Sequence, residues 1–143
     1  MTAFREHRTV RQLTGRLGFG SDLLDELTAI CRREEIRCGW VTAIGAVRKA
    51  RVAFYDQARR EYGHREFSQP LEIAVLTGNV SIKDGAPFIH AHVTLANEAG
   101  ATVGGHLAQG TVVFACEFRL EIFDGPELKR TPDPETGLGL WNI

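Results

Sequence analysis

No stretch of this chain approaches the ~20 consecutive apolar residues that a helix needs to cross a bilayer, so a membrane-spanning helix is excluded. Nor does the segment after Met1 resemble a secretion signal, since Arg5, Glu6, His7 and Arg8 follow without an apolar run. A cytoplasmic location with no membrane partner is the expectation. Cysteine is scarce: Cys31, Cys38 and Cys116 are odd in number and form no Cys-x-x-Cys pair. That excludes a disulfide framework and reads as reduced thiols packed as small apolar side chains. Strong charge of either sign is missing too, with a net charge of −1. A global basic footprint for nucleic acid is therefore absent. Residues 1–65 do carry 13 Lys+Arg against 8 Asp+Glu, but strands from both halves are expected to interleave. The runs Arg32-Arg33, Arg48-Lys49-Arg51 and Arg59-Arg60 read as solvated faces. Internal repeats, linkers and low-complexity segments are lacking as well.

What is present suits one globular domain over residues 1–143. The chain is long enough for a proper core, with 43% apolar and 24% charged residues. Arg8 to Leu17 reads as a strand. Leu23, Leu24, Leu27, Ile30 and Cys31 recur at helical spacing behind Ser21, a good N-cap, and predict a helix from Asp22 to Glu35. The period then becomes two. Strands are predicted at Trp40–Val47, Arg51–Tyr55, Arg59–Phe67, Leu71–Ile82, Phe88–Leu95, Thr102–Leu107 and Val112–Phe123. In the last, Phe114, Cys116, Phe118, Leu120 and Ile122 share a face. Turns fall at Tyr62-Gly63-His64, Lys83-Asp84-Gly85 and Asn97–Gly100. Short connections favour antiparallel pairing. The fold class is α+β: a curled, mostly antiparallel sheet with one long packed helix. Residues 125–143 hold Pro126, Pro132 and Pro134 but also Leu138, Leu140, Trp141 and Ile143. They read as an irregular tail docked on the domain or on a neighbouring subunit.

The histidines carry the chemistry. His90-Ala91-His92 sits in a strand whose Ile89, Ala91, Val93 and Leu95 form the core face, so both imidazoles point the other way. A returning strand after Asn97–Gly100 brings back Gly104-Gly105-His106. A lone strand histidine is most often a half-buried ring with a satisfied nitrogen. Three on adjacent strands can instead swing onto one ion at about 2.0–2.1 Å. His90, His92 and His106 are the candidate ligands of a divalent metal, zinc the leading choice, although three imidazoles also suit Fe, Cu or Ni. The glycine pair before His106 marks a bulge or a close approach to the backbone. His7, among charges in the first strand, and His64, in a turn, read as solvated.

Six segments then carry a resemblance over nearly the whole chain. They are residues 18–24 (Gly-Phe-Gly-Ser-Asp-Leu-Leu), 43–47 (Ala-Ile-Gly-Ala-Val), 76–81 (Leu-Thr-Gly-Asn-Val-Ser), 87–93 (Pro-Phe-Ile-His-Ala-His-Val), 104–107 (Gly-Gly-His-Leu) and 136–138 (Thr-Gly-Leu). In order and spacing the chain resembles the PPC domain, the "plants and prokaryotes conserved" family, as a stand-alone prokaryotic member. The resemblance implies an α+β domain that assembles as a homotrimer. It also implies metal binding through the histidines matching His90, His92 and His106, as in some prokaryotic members. In plants the domain accompanies AT-hook segments in nuclear DNA-binding proteins and serves protein–protein interaction. This chain has no Arg-Gly-Arg-Pro core and no basic extension, so direct DNA binding is expected to be weak or absent.

Two functions compete. One is a small trimeric regulatory or interaction module with a structural or sensory metal and a possible protein partner. The other is a metal-dependent enzyme acting on a small molecule, its open fourth position activating water. Glu98, Asp84 or Glu72 would supply the base. Which residues would be catalytic is not fixed by spacing. A cupin-type oxygenase fits poorly, because no carboxylate follows His92 within a few residues.

Overall fold

The computed structural model describes residues 2–143. Its elements are β1 (Thr9–Leu17), α1 (Leu23–Arg33), β2 (Gly39–Asp56), β3 (Glu61–Phe67), β4 (Leu71–Lys83), β5 (Ala86–Ala96), β6 (Thr102–Leu107), β7 (Val112–Phe123), β8 (Arg130–Pro132) and β9 (Gly139–Trp141). The main sheet runs β1-β7-β2-β4-β5-β6, with β3 on β2, and every strand pair in it is antiparallel. The class is the expected α+β, one helix on a curled antiparallel sheet.

α1 forms because its apolar residues fall on one side and its start is capped. Leu23, Leu27, Ile30 and Cys31 are buried, and α1 packs on β5. The cap is Asp22 rather than Ser21. Asp22 Oδ1 accepts from the backbone N–H of Leu24 and Asp25, each at 3.0 Å, while Ser21 Oγ donates to the Gly18 carbonyl. The ionised carboxylate is the stronger acceptor at the positive end of the helix. The helix also stops earlier than its periodicity suggests, because Glu35 turns into the left-handed region at φ 54°.

Trp40–Val47 and Arg51–Tyr55 are not separate strands. β2 runs unbroken for 18 residues. The intervening Arg48 and Lys49 are exposed while Ala50 is buried, so the chain continues through register shifts rather than stopping. Gly45, at φ 141°, lies so close to the Ala115 carbonyl that no Cβ would fit. The bend splits β2 between partners. Gly39–Val47 pairs with β4 and β7, the β7 pairing extending to Lys49, whereas the residues from Ala50 to Asp56 pair with β3 and, at Val52 and Ala53, with β6. The circuit β2-β4-β5-β6 therefore closes on itself.

Two further expectations are corrected by the same irregularities. Phe114 is 58% exposed although Cys116 and Leu120 on its strand are buried. Ala46 pairs with Ala115 and Val47 with Val113, so Phe114 is the extra residue of a β-bulge and its side chain leaves the core face. Tyr62-Gly63-His64 is not a turn but lies inside β3, paired to β2. The chain reverses at residues 57–60 instead, where Arg60 takes φ 56°. The other turns stand where their chemistry places them. Asp84 and Gly85, at φ 51° and 79°, supply the left-handed pair that a tight hairpin needs between β4 and β5. Asn97 Oδ1 accepts from Ala99 and Ala101 between β5 and β6.

The core lies on the face that α1 covers, where Val41, Leu76, Val93, Leu95, Leu107, Val113 and Leu120 are all at most 2% exposed. Cys31, Cys38 and Cys116 are buried free thiols. Burial pushes Cys31 up to about 12 and Cys116 to about 11, which keeps them protonated and unreactive. Beyond β7 the chain forms a short hairpin, β8 with β9. It is anchored where Leu128 is buried and its carbonyl accepts from Ile82 N. Among the described residues no helix is long and apolar enough to cross a membrane.

Candidate metal centre

Strand pleating alone selects the histidine face. On β5, Ile89, Ala91, Val93 and Leu95 are at most 4% exposed, which turns His90, His92 and Thr94 away from the core. The β5–β6 turn sets a register in which His92 faces His106, and β4 places Asn79 opposite His90. One nitrogen from each of His90, His92 and His106 lies within 4.8 Å of the others. The ring centroids are 4.9 Å apart for His90 and His106 and 5.2 Å for His90 and His92. This arrangement can hold one metal ion.

Small residues let the strands come together here. A Cβ on Gly78 would collide with the His90 carbonyl and Ala91. One on Gly105 would stand 2.7 Å from the Ala53 carbonyl. The close approach at Gly104-Gly105 is thus strand against strand.

The protonation state suits a metal. Burial comes first in holding His90 down to about 4, followed by the charges of Arg130 and His92. Burial likewise lowers His106 to about 4, helped by His90, His92, Arg130 and His64. Two of the three rings are therefore neutral at pH 7, with lone pairs free for a cation. His92 is exposed, which leaves the cluster reachable from solvent.

His7 and His64 lie apart from this cluster. His7 precedes β1 and is half-buried rather than solvated. Its ring stacks on Phe123 at 5.6 Å and its Nδ1 lies 2.8 Å from the Asp124 carbonyl. His64 is exposed on β3.

Arg130 is the residue that sequence reasoning missed. From β8 it donates to Asn79 Oδ1 at 2.9 Å, Ser81 Oγ at 2.8 Å and the Gly139 carbonyl at 2.7 Å. Its Nη2 also lies 3.5 Å from His90 Nδ1. No spacing rule joins a tail arginine to a strand 40 residues earlier; only the apolar character of the tail hinted at docking. Around Arg130 lies a cavity of about 410 Å³, which His90 and His106 border together with Tyr55, Tyr62, Phe88, Arg60 and Lys83. Glu72, Asp84 and Glu98 do not line it, so none of the three expected bases stands at the histidines.

Fold and site together define a small domain built on a closed antiparallel strand circuit, with a metal-competent imidazole triad beside an open cavity. The family model of the Plants and Prokaryotes Conserved (PCC) domain matches residues 4–124, and the chain belongs to that family, the PPC family. A metal-containing protein from Archaeoglobus fulgidus is 40% identical, with full coverage of both chains and a TM-score of 0.93. A candidate DNA-binding protein from Ralstonia eutropha JMP134 is 30% identical over 91% of this chain and 90% of its own, with a TM-score of 0.82. The bifunctional protein GlmU of Synechococcus sp. (strain JA-2-3B'a(2-13)) is 35% identical over 125 residues, 85% of this chain. The chain spans only 18% of that relative's length.

Proposed function

We propose that this protein is a small, homotrimeric PPC module that binds one divalent metal per chain through His90, His92 and His106. The observation that carries the reading is the triad itself: three imidazoles from adjacent strands, with nitrogens within 4.8 Å of one another. Zinc suits them best, because three nitrogen ligands leave a tetrahedral ion one open position. The similarity to a metal-containing archaeal protein supports the same reading. A regulatory or protein-binding role follows from the family resemblance, and a cytoplasmic location from the unpaired cysteines. Direct DNA binding does not, although a similar protein is a candidate DNA-binder.

The cavity beside His90 and His106 supports a second role for the ion. A purely structural zinc is closed by four protein ligands, whereas a catalytic one keeps a position for water or substrate. The triad has three donors and opens onto a cavity, so a metal-dependent reaction on a small molecule is the alternative.

The deciding experiment is metal analysis of the purified protein, stripped and then incubated with Zn, Fe, Ni and Mn, alongside its mass in solution. One ion per chain is expected. A protein that stays metal-free throughout refutes the reading.

A further inference from the structure

The charges that line the cavity are all positive: Asp133, the carboxylate that feels Arg60, stands outside its walls. Arg60, Lys83 and Arg130 line it, and no Asp or Glu does. Among the described residues none of these three cations has a carboxylate within 4.0 Å, although most other arginines do. Arg60 is held by the carbonyls of Pro134 and Glu135, and Arg130 by neutral acceptors only. The remaining walls are aromatic and aliphatic, from Tyr55, Tyr62, Phe88, Leu138 and Leu140.

A metal sharpens this imbalance. If His90 ligates through Nδ1, its lone pair goes to the ion. If it ligates through Nε2, the neutral ring carries its proton on Nδ1. In both cases Nδ1 can no longer accept from Arg130 Nη2, now 3.5 Å away. The guanidinium keeps Asn79 but gains a free N–H edge, next to a dication. Two such charges side by side are repulsive unless an anion lies between them.

We infer that the cavity beside the triad binds a small organic oxyanion, one oxygen on the metal and another on Arg130. This rests on the metal reading above. The shared chemistry is that of a carboxylate or a phosphate ester, either of which the arginine fork recognises. A volume of about 410 Å³ lies at the small-metabolite end of ligand sites. The apolar walls take the carbon skeleton, and Lys83 and Arg60 supply charge for a second anionic group.

The test uses the full chain, stripped or zinc-loaded, titrated calorimetrically with malate, glycerol 3-phosphate or sodium chloride. Zinc content is measured on each sample before and after. Malate or glycerol 3-phosphate should bind the zinc-loaded protein at least about tenfold more tightly than the stripped one, and whichever binds identifies the anion class. Arg130→Gln should weaken that binding by about tenfold or more, and Lys83→Gln by a few fold. Because Arg130 also anchors the tail, the exposed Lys83 gives a variant that leaves the fold alone. Zinc retained with neither organic anion bound overturns the inference and leaves the metal reading standing. The inference also falls if Lys83→Gln and Arg130→Gln both bind like the parent, or if chloride competes equally well. Failure to take up zinc at all overturns both.

Discussion

His92 on β5 and His106 on β6 are direct register partners, and their rings meet edge to face with centroids 5.6 Å apart. Neither ring has a part in the core that holds the strands together. Metal ligation and apolar core packing are thus separated by the pleat.

His92→Ala should abolish stoichiometric metal while leaving the fold intact. The core packing belongs to Ile89, Ala91, Val93 and Leu95, and His92 is exposed. A metal-free Tm within about 2 °C of the parent is expected for a change of this kind. Full metal retention by elemental analysis would remove His92 from the ligand set.

Acid should destabilise the metal-stripped protein. His90 and His106 are lowered from 6.5 to about 4 in the folded chain, by burial above all. Between those pH values the unfolded chain binds more protons than the folded one, so stability falls as pH falls through that window. Thermal unfolding at pH 7, 6 and 5 should show a declining Tm, and the decline should flatten when both residues are glutamine. Metal affinity of the folded protein should weaken as the pH approaches about 4, where His90 and His106 take up protons and lose their lone pairs.

Gly78→Ala should disturb fold and site together. Its Cβ would overlap the His90 carbonyl and stand 2.6 Å from Ala91 Cα, forcing β4 away from β5. A loss of about 1–3 kcal/mol in denaturant unfolding is expected, as for other overpacked sites. Metal affinity should drop with it. An unchanged midpoint would show that the strands yield more readily than their backbones suggest.

Light scattering should give three times the 15.8 kDa chain mass. Trp40, Ile44 and Val75 are 39%, 57% and 47% exposed on the sheet face away from α1, and a neighbouring subunit is the natural cover for them. A stable monomer at micromolar concentration would refute the trimer.

Sequence-specific DNA binding should be absent or weak. Arg8, Arg11, Arg33, Arg37, Arg51, Arg59 and Arg119 each pair with a nearby carboxylate, which leaves fewer cations to meet phosphate. A genuine complex would weaken steeply with added salt. Tight, salt-sensitive binding to one sequence over scrambled competitors would contradict this.

The period-two pattern made the histidine face legible, because Ile89 to Leu95 alternate without interruption and the residues between them must face away. The turns at Asp84-Gly85 and Asn97 were legible from backbone chemistry. Bulges were not. An extra residue such as Phe114 breaks alternation without a compositional mark, and the bend at Gly45 carried β2 past a stretch of basic residues that reads as a break. Asp22 and Ser21 are both competent caps, and only the folded geometry decides between them. Arg130 was invisible for a different reason: its role depends on where the tail folds back, a contact 51 residues from Asn79 with no period to announce it.

The pairing of β2 with both β4 and β6 has a mechanical consequence. The span between β5 and β6 is fixed by two independent routes, directly across their ladder and the long way round through β4 and β2. A displacement of His106 relative to His92 must therefore shear several ladders at once. The backbone positions of His92 and His106 are thereby tied together, and it is the imidazole rings that turn toward a common ion. An ion entering between such tethered strands asks only the side chains to adjust, and the closed circuit of ladders serves as a reusable receptacle.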